Sequence, residues 1–153
     1  MIKRLLPFFF LMAITACRQN DSRREEQSSQ VTTTAWEPPA TGTTIAEYKE
    51  RVTEDNLNDK YFRVTVKTTD YSREGAYRLK LEYGYNINET DIQLPEWHKG
   101  TFLKPVLKKG AGQYHCLLGF DAGDGKFREL YLINAEGGDI RLKQTKGYYK
   151  AEK

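Results

Sequence analysis

The chain has 153 residues, of which 39% are hydrophobic, 29% charged and 12% aromatic, with 24 Lys and Arg against 21 Asp and Glu. That apolar fraction suffices for a core and the charge is mixed in sign, which excludes wholesale disorder, collagen-like repetition and a histone-like polycation. Two cysteines exclude a disulfide-dense mini-protein, so the expectation is one ordinary domain held together by packing.

Met1-Ile2-Lys3-Arg4 is a short positive start, and residues 5–14 form an apolar run broken only by Pro7. The run is too short to span a bilayer as a helix and reads as a secretory leader. It ends in Ile14-Thr15-Ala16-Cys17, a branched apolar residue three before a cysteine and a small residue just before it. Small side chains let the backbone enter a protease cleft, and a thiol is the group that forms a thioether. This stretch, and this stretch alone, resembles the lipobox of bacterial lipoprotein precursors. The resemblance implies that residues 1–16 are a lipoprotein signal peptide, and that Cys17 becomes the first mature residue, joined to a diacylglyceryl group and N-acylated by palmitate-like chains. One acyl chain binds a membrane marginally, whereas two or three anchor it stably at about 0.8 kcal/mol per buried methylene. Arg18 stands where enterobacterial lipoproteins retained at the inner membrane carry Asp, so the resemblance favours the outer membrane of a cell envelope.

Loss of Lys3 and Arg4 with the leader leaves 22 basic residues against 21 acidic. Such a balance lacks the strong basic face of a nucleic-acid-binding domain, and no nucleic-acid partner is expected. With Cys17 modified, Cys116 has no partner for an intrachain disulfide. Residues 18–30 contain no apolar side chain, and residues 31–43 are rich in Thr with Pro38-Pro39 and Gly42. Residues 17–43 are therefore expected to be the lipidated cysteine and a flexible tether, which as coil would reach roughly 25–30 Å. Trp36, inside the tether, either contacts a partner or lipid surface or docks on its own domain.

A single β-rich domain is expected over 44–153. Thr44 and Glu47 have capping-box spacing, and Ile45, Tyr48 and Val52 follow at helical spacing, predicting a short helix over 45–54. From Lys60 the period is two: Phe62, Val64 and Val66 alternate with polar residues, as do Tyr77, Leu79, Leu81, Tyr83 and Tyr85. Further strands are expected near 89–94, 101–107, 112–120, 126–134 and 138–146. Pro105 marks an edge or a bulge, and the uninterrupted apolar run Leu130-Tyr131-Leu132-Ile133 marks a central strand. Gly-rich reversals at 121–125 and 134–138 imply antiparallel neighbours. The expected fold class is mainly β (α+β), an antiparallel meander forming a small barrel or sandwich with one short N-terminal helix.

The search for chemistry returns mostly negatives. His98 and His115 are the only histidines, and on a strand His115 faces away from Cys116, so no zinc set, and no metal or cofactor, is expected. Cys116 reads as a small core residue. The Asp121 loop fails as an EF-hand because its twelfth position is Leu132, and reads as a turn. No phosphate-cradling glycine loop or nucleophile elbow is present. Glu54, Asp55, Glu74, Glu82 and Glu96 offer carboxylates, but the sequence pairs none of them. Aromatic content remains. Tyrosine rows in strands pack cores or stack ligands, and the loop Pro95-Glu96-Trp97-His98-Lys99-Gly100 combines a Trp, a His and two opposite charges. Trp97, His98, Tyr83 and Tyr85 are accordingly the candidate partner-binding residues, with a catalytic set left unassigned. The favoured expectation is a membrane-anchored, non-catalytic module that binds an envelope protein, peptide or glycan. The alternatives are a small envelope hydrolase using carboxylates and a structural component of an envelope assembly.

Overall fold

Alternation of apolar and polar residues becomes strand throughout the computed structural model, which describes residues 35–53 and 59–148. These lie within one compact unit; the leader, the lipobox, Cys17, Glu54 and Asp55 lie outside the described residues. Among the described residues eight strands form two antiparallel meanders: β1 (Thr44–Arg51), β2 (Tyr61–Thr68), β3 (Ala76–Tyr83) and β4 (Asn86–Gln93) in one sheet, then β5 (Lys104–Lys109), β6 (His115–Asp121), β7 (Arg128–Glu136) and β8 (Asp139–Gln144) in the other. Strands are neighbours in sequence order within each sheet, as short connections require. The two sheets are separate, and no barrel closes among the described residues.

The expected N-terminal helix is not formed. Residues 44–51 are strand β1, paired with β2 from Thr44↔Lys67 to Arg51↔Tyr61, with a register shift between Thr44 and Ala46. The physical reason lies in β2, whose Phe62, Val64, Thr65, Val66 and Thr68 are buried and whose backbone therefore needs a hydrogen-bonding neighbour on each side. Residues 40–43 dock there first: Gly42 N–H donates to Thr68 O at 3.0 Å, Thr68 N–H to Thr43 O at 3.0 Å, and Thr43 N–H to Thr68 Oγ1 at 2.9 Å. Trp36 is half-buried against the core.

Both sheets feed one hydrophobic cluster. Phe62, Val64, Val66, Tyr77 and Leu79 from the first, and Cys116, Leu118, Phe120 and Ile133 from the second, are fully buried. Each large side chain buried this way contributes about 1.5–3 kcal/mol. The Tyr77 hydroxyl, the polar tip of that core, donates between the carbonyls of Ser72 (3.2 Å) and Leu103 (3.3 Å). Pro105 sits on β5, an edge strand, as its missing N–H demands, and β7 is interior to its sheet. Gly137 and Gly138, both with positive φ, form the two-residue β7–β8 reversal between Glu136 and Asp139, the geometry of a type I′ turn. Tyr114, expected in strand, instead precedes β6 with φ of 53°. That left-handed backbone is unusual for a bulky residue. It is held by the hydroxyl, which accepts Thr53 N–H at 2.8 Å, and by ring contacts with Phe62 and Tyr83.

Candidate functional site

Residues 94–103 carry the chain from one sheet to the other, and both ends are pinned. Leu94 N–H donates to Gly75 O at 2.9 Å, and Leu94 and Leu103 are buried. Between them Thr101 N–H reaches His98 O at 3.0 Å across Gly100, whose φ is +81°. Trp97 is half-buried, edge-to-face on Phe120 with centroids 5.3 Å apart, and 6.4 Å from Tyr148, which itself packs on Phe120 at 5.2 Å. Exposed His98 lies edge-to-face with the indole, ring centroids 5.6 Å apart.

A guanidinium covers this aromatic group. Arg128 stands 4.9 Å from the Trp97 ring centroid and 5.9 Å from that of Phe120. Asp124 holds it in a bidentate pair at 2.8 and 2.7 Å, the arrangement that combines charge with fixed orientation. The hydrogen bonds from Arg128 hold the Asp124 carboxyl well below the usual carboxylate range, and the Arg128 pKa is raised in return, first by that same bond. Asp121 Oδ1 accepts the N–H groups of Gly123, Asp124 and Gly125 at 2.8, 3.1 and 3.0 Å. The acidic loop is thus closed on its own backbone as an Asx-type turn.

Two shallow clefts flank the segment that leads into Trp97. One, of about 310 Å³, is lined by Arg73, Glu74, Glu96, Trp97, Lys99 and Phe102 among others. Arg73 lies 5.4 Å from the Phe102 ring centroid and pairs with Glu37 at 3.1 Å. The other, of about 490 Å³, lies where Gln93, Leu94 and Glu96 face Leu130, Gln144 and Tyr148. Glu74 and Glu96 line both. Glu96, His98 and Lys99 are exposed and form no ion pair among the described residues.

The other two candidate residues lie elsewhere. Tyr83 is half-buried at the far end of β3, with its ring 5.3 Å from Tyr114. Tyr85 does not continue the strand: Gly84, with φ of 62°, turns the chain, leaving Tyr85 79% exposed at the β3–β4 tip with Lys60 Nζ 4.2 Å from its ring. The eight residues of β3 separate this end from the Trp97 loop by about 23 Å along the strand. Trp97 and His98 therefore share one locality, and Tyr83 and Tyr85 another.

Glu82 belongs to an ion-pair lattice on the outer face, 3.5 Å from Arg63 and 3.1 Å from Lys80. His115 faces away from the core over Gly110 and Gly112; a Cβ on Gly112 would stand 2.6 Å from its ring. Cys116 is fully buried, and burial pushes its thiol up to about 12. No group of three or more His, Cys, Asp and Glu converges among the described residues. Sequence reasoning missed Arg128, Asp124, Tyr148, Arg73 and Phe102. The spacing of Asp124 and Arg128 was the available signal, but in a turn its partner, the Trp97 ring, is set by tertiary structure. No family model matches the chain, and neither curated proteins nor solved structures give a match.

Proposed function

We propose that the protein is an envelope lipoprotein, held to the outer membrane by acyl chains on Cys17, whose two sheets pack as a sandwich and serve as a non-catalytic binding module. The observation that carries the binding role is the 94–103 loop. It presents Glu96, His98 and Lys99, exposed and without ion pairs among the described residues, beside packed aromatic rings between two open clefts. Recognition loops combine those features: mobile polar contacts on a support that loses little entropy on binding. The partner class is an envelope protein, peptide or glycan.

The anchor is tested by mass spectrometry of the mature N-terminus and by fractionation of Cys17→Ser. An acylated Cys17, with loss of envelope association in the variant, is the expected outcome. An unmodified cysteine overturns the localisation. The binding role is tested by capture from detergent-solubilised envelopes with wild type, Lys99→Glu and Glu96→Lys. Both charge reversals lie at exposed positions, so they are expected to lower recovery of a saturable partner while leaving the unfolding transition in place. Equal recovery by all three rejects the loop, and conversion of glycan fragments by the purified chain replaces the binding role with a hydrolytic one.

A further inference from the structure

The edges of the two sheets are not treated alike. Exposed strand edges present unpaired backbone groups and are commonly blunted by charged side chains, Lys above all, and by Pro, short length or bulges. β1 carries a bulge together with Lys49 and Arg51 and lies against β5. β5 carries Pro105 with Lys104, Lys108 and Lys109, and β8 is six residues long with Arg141 and Lys143. β4, Asn86–Gln93, has only the carboxylates of Glu89 and Asp91, a charge of one sign that a cationic segment would match. It is eight residues long, contains no Lys, Arg or Pro, pairs with β3 without a register shift, and is exposed at every position except Ile92.

Its free backbone groups follow from the register. Tyr83 and Asn86 flank the two-residue turn as partners, and in such a hairpin they exchange hydrogen bonds, after which bonded and non-bonded pairs alternate. Asn88, Thr90 and Ile92 therefore point their amides at β3, a parity that continues in the bond from Leu94 N–H to Gly75 O. The N–H and C=O groups of Ile87, Glu89 and Asp91 point outward, and among the described residues only Thr90 Oγ1, at 3.5 Å, reaches one of them, the Asp91 carbonyl. The side chains of these same three residues share one face. Ile87 is 56% exposed, and Asp91 is held by Arg78 at 2.8 and 3.2 Å. Glu89 stands opposite Lys80, whose Nζ is spent on Glu82 at 3.1 Å. On the other face Asn86, Asn88 and Thr90 are exposed.

We propose that the edge of β4, which no other strand pairs among the described residues, accepts an extended segment of a partner protein, which adds antiparallel to the first sheet and places a Lys or Arg against Glu89 and an apolar residue against Ile87. Main-chain hydrogen bonds supply affinity in this mode and alternate side chains supply selectivity. A second copy pairing through its own β4 is the poorer occupant: β4 has no cation, and pairing it with itself sets carboxylates against carboxylates. The surface is distinct from the 94–103 loop and needs no anchor at Cys17.

The probe is the labelled peptide Thr-Lys-Thr-Lys-Thr-Val-Thr, titrated against the full chain in mild detergent and followed by fluorescence anisotropy and by amide hydrogen exchange. The expected result is saturable binding, with exchange at Ile87, Glu89 and Asp91 slowed roughly tenfold or more, and roughly tenfold weaker binding when Glu replaces Lys in the peptide. Glu89→Pro removes an N–H that β3 does not use, so the chain keeps its circular dichroism and loses the peptide. Glu89→Lys, which leaves the backbone intact, also weakens it. No saturation up to about 1 mM, slowing at β8 or β5 instead, or unchanged binding by Glu89→Lys overturns the proposal.

Discussion

Replacing Trp97 with Ala separates a packing role from a contact role at the candidate site. The indole is half-buried on Phe120 and Tyr148 beneath the Arg128 guanidinium. Half of the roughly 200 Å² that a tryptophan buries, at about 25 cal/mol per Å², is ~2.5 kcal/mol. Its ring-on-ring geometry adds about 0.5–1.5 kcal/mol. Relaxation of the loop and residual structure in the unfolded chain reduce that total, so the expected cost is about 2–3 kcal/mol. For a domain of this size it corresponds to a fall of roughly 6–15 °C in Tm. Trp97→Phe keeps a ring on Phe120 and is expected to cost about 1 kcal/mol. The assay is urea unfolding monitored by circular dichroism, with the fluorescence of Trp36 as a second probe. A Trp97→Ala chain as stable as wild type refutes the packing argument and makes the indole a surface residue free to contact a partner. If the loss of stability is as large as worked here, weakened binding by Trp97→Ala says nothing about contact, and the burden falls on Glu96 and Lys99.

Gly119 is required by a close approach: a Cβ there would stand 2.6 Å from the Phe127 ring and closer still to the Arg128 carbonyl. Gly119→Ala is therefore expected to destabilise by about 1–3 kcal/mol, read as a lower urea midpoint at unchanged m-value, and a shift within error refutes the close approach. Stability is also expected to fall in alkali. Burial raises the Cys116 thiol from its ordinary 9.0 to about 12, so over that window the folded chain keeps a proton that the unfolded chain releases. The contribution is fully present below pH 9 and is lost as pH rises towards 12, and Cys116→Ala is expected to flatten this limb at a cost of about 1–2 kcal/mol at neutral pH. An identical alkaline slope in the variant refutes it. Burial also raises the hydroxyls of Tyr48 and Tyr77, whose losses start from a higher pH.

The strands were legible because their alternation is set by burial, and burial survives changes of neighbour. β3 buries every second residue from Tyr77 to Leu81, and β2 does so from Phe62 to Thr68, with Thr65 buried on the opposite face as well. Pro105 announced its edge through a missing donor, and Gly137 with Gly138 announced a reversal through tolerance of positive φ. β1 was misread for a physical reason. Ile45, Tyr48 and Val52 have helical spacing, but the register shift near Thr44 leaves adjacent Ile45 and Ala46 both half-buried, and from Ala46 onward alternate residues turn inward. A bulge turns a two-residue period into something that resembles three or four. Glu50 completes the disguise: it points inward beside Tyr48, whose hydroxyl donates to it at 2.7 Å, so a charged residue marks the wrong face.

The site was half legible for a different reason. Trp97 and His98 are adjacent, and chain connectivity alone guarantees that they stay together. Tyr83 and Tyr85 joined them only on the assumption that one even-spaced row continued past Gly84, and a glycine with φ of 62° breaks that row within one residue. Arg128, at the start of β7, and Tyr148, beyond the end of β8, meet Trp97 only through tertiary structure, which no local spacing encodes. What the sequence did expose in full is the chemistry of β4. NINETDIQ lacks a cation or a proline to guard an edge, and that absence acquires meaning only when the strand is seen to be the last in its sheet.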